Sequence, residues 1–236
     1  MSKKTTNQEK ANQKPEAQPT SRRKFLKNSA LTAGAAAAGV SLFNIKTAKA
    51  QTTTWKVQTS WPGGIGLEIF ENWCNSIIEK TGGELAFEPY GAKAVVGDFQ
   101  LFDAVKNGVL QAMNPFTIYW AGRMPASVFL TSYPLGLRNP HEFDVFYYSL
   151  GGLELARELF AKQNMFYVGP IHHGANIIHS KVPIRSIEDF KGRKMRVPGG
   201  MVAQLFAKAG AKTTLLPGSE IFPALDKGTI DVADYV

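Results

Sequence analysis

From Thr54 to Tyr235 the sequence alternates short strand-forming runs with helical runs, and glycine or proline stands at most of the junctions. Such alternation confines a chain to α/β architectures with largely parallel sheets, because a parallel strand pair needs a crossover that a helix supplies. Thr54–Trp61 reads as a first strand ending at Pro62-Gly63-Gly64, and the helix after it runs to Lys80, stopped by Gly82-Gly83. Glu84–Glu88 predicts a short strand, Asp98–Asn107 a helix closed by Gly108, and Leu110–Met113 another strand. Asn139 as N-cap and Pro140 as first helical residue open a helical stretch to about Gln163, with a break at Gly151-Gly152. Phe166–Ile171 and Asn176–Ser180 predict strands, and Ser186-Ile187-Glu188-Asp189 has the form of a capping box. Strands at Lys194–Val197, Lys212–Leu216 and Thr229–Tyr235 then alternate with helices at Gly200–Ala209 and Ser219–Lys227.

One stretch comes twice. Phe102-Asp103-Ala104-Val105-Lys106-Asn107-Gly108-Val109-Leu110-Gln111-Ala112 aligns with Phe222-Pro223-Ala224-Leu225-Asp226-Lys227-Gly228-Thr229-Ile230-Asp231-Val232, 120 residues later, each a helix, a glycine stop and a strand. Two similar α/β lobes with a binding cleft between them would produce this spacing.

Charge separates the chain into two unlike parts. Residues 1–50 hold ten Lys/Arg against two Asp/Glu, whereas residues 51–236 hold seventeen of each. The net charge of +8 therefore belongs to the N-terminal segment, and the neutral body offers no clustered cations for a nucleic-acid backbone. Residues 1–20 are Lys, Gln, Asn, Thr and Pro with almost nothing apolar, a disordered tail by composition. Ser21-Arg22-Arg23-Lys24-Phe25-Leu26-Lys27 follows, then a weakly apolar run from Ala30 to Phe43, then Thr47-Ala48-Lys49-Ala50. A basic region, a short apolar region and a small-x-small cleavage site make an export signal, cut after Ala50, and the apolar run is too short to span a bilayer. Arg22 and Arg23 in this context resemble the twin-arginine (Tat) consensus, which implies the Tat machinery as export partner and a periplasmic destination.

Several chemistries are absent from the sequence. One cysteine, Cys74, permits no internal disulfide and no CxxC site, and its place in an apolar helical pattern predicts a packed thiol. There is no G-x-S-x-G, P-loop or G-x-G-x-x-G pattern. His172 and His173 are adjacent, so their side chains diverge, and no H-E-x-x-H accompanies them or His179.

What remains suits a small organic anion. Arg196 ends the strand Lys194–Val197 just before Pro198-Gly199-Gly200, where a guanidinium fork can match a carboxylate in two parallel hydrogen bonds. Tyr119-Trp120, after the turn Asn114-Pro115-Phe116, and Trp61, at the end of the first strand, supply aromatic walls.

The block Ser186-Ile187-Glu188-Asp189-Phe190-Lys191-Gly192-Arg193-Lys194-Met195-Arg196-Val197-Pro198 resembles the signature of the solute-binding proteins of tripartite ATP-independent periplasmic (TRAP) transporters, the DctP-like family. Leu216-Pro217-Gly218-Ser219-Glu220-Ile221-Phe222-Pro223-Ala224-Leu225-Asp226-Lys227-Gly228-Thr229-Ile230-Asp231 looks like the next block of that family, in its 2-oxoacid and lactate-binding branch. The resemblance implies a two-lobed, type II-like periplasmic binding protein: lobe one at about 51–170, part of lobe two at about 171–236, and the C-terminal part of lobe two missing. It implies a non-catalytic protein that binds a mono- or dicarboxylate, such as a 2-oxo or 2-hydroxy acid, and delivers it to membrane permease subunits. By the same resemblance Arg196 pairs with the carboxylate, Tyr119 comes from the first lobe, and Asp234-Tyr235 stands where oxoacid binders have Glu-Trp. On the segment His172-His173-Gly174-Ala175-Asn176, Ala175 falls near an expected Gln, which leaves His173 and Asn176 as substitute donors. A sodium or calcium ion beside the ligand, with Asp234 as its protein ligand, is part of the same implication. Two other readings stay open: an exported enzyme using His172 or His173 as general base, and a sensor-linked binding protein.

Overall fold

The computed structural model describes residues 51–131 and 133–236. The residues read as an export signal, including Arg22, Arg23 and the expected cleavage site after Ala50, lie outside the described residues.

Two sheets organise the described chain. The first has the order β2-β1-β3, built from β1 (Thr53–Thr59), β2 (Leu85–Tyr90) and β3 (Ala112–Asn114), all parallel. The second has the order β4-β7-β5-β6, from β4 (Ile177–Ser180), β5 (Lys194–Val197), β6 (Lys212–Leu215) and β7 (Val232–Tyr235). Its β5 pairs in parallel with β6 and β7, and β4 closes the edge antiparallel to β7. The helices are α1 (Gly64–Lys80), α2 (Leu101–Lys106), α3 (Pro140–Ser149), α4 (Gly152–Ala161), α5 (Gly200–Lys208) and α6 (Ile221–Asp226). Among the described residues no helix is long and apolar enough to cross a membrane.

Local chemistry sets the boundaries. Asn139 caps α3 by accepting the Glu142 N–H at 3.0 Å, with Pro140 in the first turn. The Asp189 carboxylate accepts the N–H groups of Arg185 and Ser186 at 2.8 and 2.9 Å, and these bonds hold it below the usual carboxylate range. The internal repeat is structural. Val109 and Leu110 both donate to the Ala104 carbonyl, and Thr229 and Ile230 both donate to that of Ala224. Gly108 and Gly228 stop the two helices at φ of 76° and 69°, a region open to glycine without strain. Each copy also begins with a 3-10 turn, Asp98–Gln100 and Gly218–Glu220.

A continuous apolar core joins α2, α3 and α4 to the second sheet through Phe102, Ile118, Val128, Tyr147, Met195 and Val232. Full burial of a side chain such as Phe102 contributes about 1.5–3 kcal/mol. A smaller cluster of Val57, Phe70 and Cys74 packs α1 on β1. Burial pushes the Cys74 thiol up to about 11, as a packed position demands.

One expectation fails. Residues Phe166–Ile171 carry no strand: Phe166 and Val168 are more than 70% exposed, and Tyr167 turns inward to stack on Tyr147. The apolar alternation is real, but no neighbouring strand among the described residues gives it a ladder. Conversely, Thr117–Trp120 and Pro125–Leu130 form 3-10 helices that no helical periodicity announces.

Candidate functional site

Arg196 occupies the third position of β5, between β6 and β7 in the middle of the second sheet, and is 1% exposed. A guanidinium buried there requires partners. Its Nε donates to the Leu216 carbonyl at 2.8 Å, Nη1 to the Asp234 carbonyl, and Nη2 to the Tyr119 hydroxyl at 3.3 Å. The guanidinium carbon also lies 5.6 Å from the Tyr235 ring centroid. Arginine has five N–H donors, so these three bonds leave two, the number that one carboxylate accepts.

Tyr119 comes from the 3-10 turn after β3. Its hydroxyl accepts from Arg196 and from the Gly218 N–H at 3.0 Å, which fills both lone pairs and leaves its own proton to donate. Burial raises the phenol above its ordinary range, partly offset by the neighbouring Arg196, so the proton is retained.

A small cleft opens beside these groups, lined by Phe116, Ile118, Tyr119, Thr131, His173, Asn176, Arg196, Pro198, Tyr235 and Val236. Five of the residues expected at a site therefore meet there: Tyr119, His173, Asn176, Arg196 and Tyr235. Tyr235 holds its phenolic proton, pushed up to about 12 by burial. His173 places Nδ1 on the Gly174 carbonyl at 2.7 Å and its ring edge-on to Phe116, centroids 5.5 Å apart.

The other two stand one layer back. Trp61 is not part of the lining but packs edge-on behind Phe116 and His173, at 5.0 and 6.3 Å between centroids. Asp234 is buried and accepts from Asn176 Nδ2 at 3.2 Å; burial raises its carboxyl above the usual range, opposed by that bond and by Arg196. His172 turns away, with Nε2 2.8 Å from Asp144 Oδ1, and does not line the cleft. Phe116, Ile118, Thr131, Pro198 and Val236 escaped the sequence reading. Pro198 stood two residues from Arg196 and Phe116 three from Tyr119; for Thr131 the sequence carries no signal.

The family model for bacterial extracellular solute-binding protein, family 7 (DctP) matches residues 62–235. The chain belongs to that family. This DctP-family chain is 33% identical over 221 residues to a monocarboxylate 2-oxoacid-binding periplasmic protein of Nostoc sp., covering 91% of this chain and 60% of that one. A TRAP transporter solute-binding protein from Bordetella bronchiseptica, solved with copurified calcium and picolinate, is 28% identical with a TM-score of 0.70. That match covers 79% of this chain and 56% of the other. A TRAP periplasmic solute-binding protein from Pseudoalteromonas atlantica, solved with sodium and pyruvate, is 26% identical with a TM-score of 0.64, covering 79% and 57% of the two chains. The DctP-family chain thus spans somewhat more than half the length of the relatives it matches.

Both solved relatives hold a cation, and the donors around Asp234 can be set against that. Its carboxylate and the Asn176 amide are two oxygen-bearing side chains, and among the described residues no group of three His, Cys, Asp or Glu could hold a metal. A calcium ion takes 6–8 oxygens.

Proposed function

We propose that this chain is the solute-binding component of a TRAP transporter, taking up a small monocarboxylate and presenting it to the membrane permease subunits. The observation that carries the reading is the buried Arg196, with three donors fixed by the protein and two left for a ligand. The ligand carboxylate would accept those two and the Tyr119 proton. Its body would lie on Phe116, Ile118, Pro198 and Tyr235, an apolar surface that favours a short carbon chain over a second charge. Arg196 is the only Lys or Arg in the lining, so a dicarboxylate would bury one carboxylate without a cation. Tyr119 and Arg196 come from segments far apart in the chain, so a ligand touching both would tie those segments together and exclude water. The 2-oxoacid named for the Nostoc relative points to the same chemistry.

The relatives are periplasmic, and the same destination for this chain would be reached through Arg22, Arg23 and cleavage after Ala50 by the Tat route. A transport role involves no turnover. His172 is tied to Asp144 outside the cleft, and His173 faces aromatic edges with its Nδ1 on the Gly174 carbonyl.

Calorimetric titration with pyruvate, lactate and succinate, with assay of each acid for conversion, tests the reading. Binding of pyruvate or lactate, weaker binding of succinate and no conversion are expected. Failure of every carboxylate to bind, or turnover of any of them, would overturn it.

A further inference from the structure

The three residues Gly218, Ser219 and Glu220 form a 3-10 turn, and each bonds a different residue from before position 120. The Gly218 N–H donates to the Tyr119 hydroxyl at 3.0 Å, the Ser219 hydroxyl to Asp98 Oδ2 at 2.7 Å, and Lys93 pairs with Glu220 at 2.8 Å. Asp98 itself begins the matching 3-10 turn Asp98–Gln100, so the equivalent turns of the internal repeat face each other. The Lys93–Glu220 pair is more than two-fifths exposed, and solvent screens it. Asp98 is different: it is 2% exposed, and its Oδ1 and the nearby Ser60 Oγ are buried without partners.

Building on the carboxylate-binding reading above, we propose that Asp98 is a positioning residue for the cleft: by holding Ser219 it seats the Gly218 amide on Tyr119, and so aims Tyr119 at Arg196. The clasp is also sensitive to protons. An ionised Asp98 is a buried charge that the Ser219 and Ser60 hydroxyls and Lys93 offset only in part, whereas the neutral acid accepts from Ser219 and has a proton to donate toward Ser60. The charged and titratable groups around it are Lys93, Glu220, Tyr119 and Tyr235. Burial raises its carboxyl above the usual range, with the Ser219 and Ser60 hydroxyls and Lys93 acting in the opposite direction. A carboxyl raised in the clasped state binds its proton more tightly there than when exposed. The clasp therefore strengthens as pH falls toward the ordinary carboxylate range and weakens as pH rises.

The test uses the full chain and pyruvate, an acid ionised across the range, titrated between pH ~5 and ~8. Wild type should bind more tightly at the acid end. Asp98→Asn, which keeps an acceptor for Ser219 and gains a donor for Ser60, should hold the low-pH affinity and lose that part of the pH dependence. Asp98→Ala should weaken binding about tenfold at the acid end, and Ser219→Ala, milder for folding, should do the same. An Asp98→Asn profile that parallels wild type, or one as weak as Asp98→Ala throughout, would overturn the proposal. Spin labels at the exposed positions Glu79→Cys and Lys208→Cys give a second readout that needs no ligand, since Cys74 is buried. Their distance distribution should narrow on acidification in wild type, stay narrow in Asp98→Asn and broaden in Ser219→Ala. Should pyruvate, lactate and succinate all fail to bind, the functional reading falls, while these distances still decide the clasp; distributions identical in all three proteins would reject it.

Discussion

Arg196 and Tyr119 meet at 3.3 Å although 77 residues separate them in the chain, and each completes what the other lacks. The guanidinium gains an acceptor it could not find in its own sheet, and the phenol, with both lone pairs filled, is left as a donor. Two donors of Arg196 and one of Tyr119 are then left over beside the cleft, the number and kind that a carboxylate can accept.

Arg196→Ala should therefore weaken pyruvate binding by about 2–4 kcal/mol, the loss of a charge-assisted pair in a dry cleft. Arg196→Lys should recover only part, because an ammonium lacks the fork and cannot reach the Leu216 and Asp234 carbonyls together. Calorimetry on the two variants checks this, with circular dichroism to verify folding. Unchanged affinity in Arg196→Ala would remove Arg196 from the site.

Tyr119→Phe keeps the ring but strips the acceptor from two buried donors, the Gly218 N–H and one N–H of Arg196. Leaving such groups unsatisfied costs about 1–3 kcal/mol, so thermal denaturation should move to lower temperature and pyruvate affinity should drop as well. A variant as stable as wild type would mean that water replaces the hydroxyl.

The strand that carries Arg196 was legible, because a short run followed by Pro-Gly-Gly marks a strand end, and β5 lies where the pattern put it. The Asn139 cap and the two Ala104-like and Ala224-like junctions were legible because their chemistry is local. The clasp was not. Asp98 and Ser219 are 121 residues apart, and nothing near either one announces the other. Phe166–Ile171 misled for the opposite reason: its alternation satisfies a local rule, but a strand also needs a neighbour, which sequence period alone cannot supply. Trp61 was placed a layer too far forward because its position at a strand end fixes its neighbourhood and not the side on which Phe116 covers it.

Gly200 sits where the start of α5 approaches the 3-10 segments. Its φ is 57°, and a Cβ there would lie 2.9 Å from Val128 Cγ2 and 3.4 Å from Ala121 Cβ. Gly200→Ala should therefore cost about 1–3 kcal/mol from backbone strain and overpacking together. Urea denaturation measures it, and an unshifted midpoint would show that the contact relaxes freely.

Cys74 gives a pH-dependent prediction. The folded thiol is pushed up to about 11, whereas a thiol in the unfolded chain ionises near ~8.5. Between those values the unfolded state gives up its proton first, so stability should fall as pH rises through that window, and Cys74→Ala should flatten the fall. Ellman's reagent should leave native protein unmodified at pH ~8 and react fully in denaturant. Rapid modification of the native chain would contradict the packing of α1 on β1.

Export can be tested independently of everything in the cleft. Arg22 and Arg23 stand before Lys24-Phe25-Leu26-Lys27 and a weakly apolar run rich in Ala and Gly, and Lys46 and Lys49 lie close to the cleavage site. A general secretion signal depends on a basic start and an apolar middle, so it tolerates lysine in place of arginine, whereas a receptor-read twin-arginine address depends on the guanidinium pair itself. Replacing both Arg22 and Arg23 with Lys preserves the charge and leaves the apolar run untouched. The uncleaved precursor should then accumulate in the cytoplasm, with the mature form beginning at Gln51 lost from the periplasmic fraction. Fractionation followed by N-terminal sequencing reads both. If the double-lysine variant reaches the periplasm and is cleaved after Ala50 as wild type is, the twin-arginine route is wrong, and the basic start serves only as an ordinary signal.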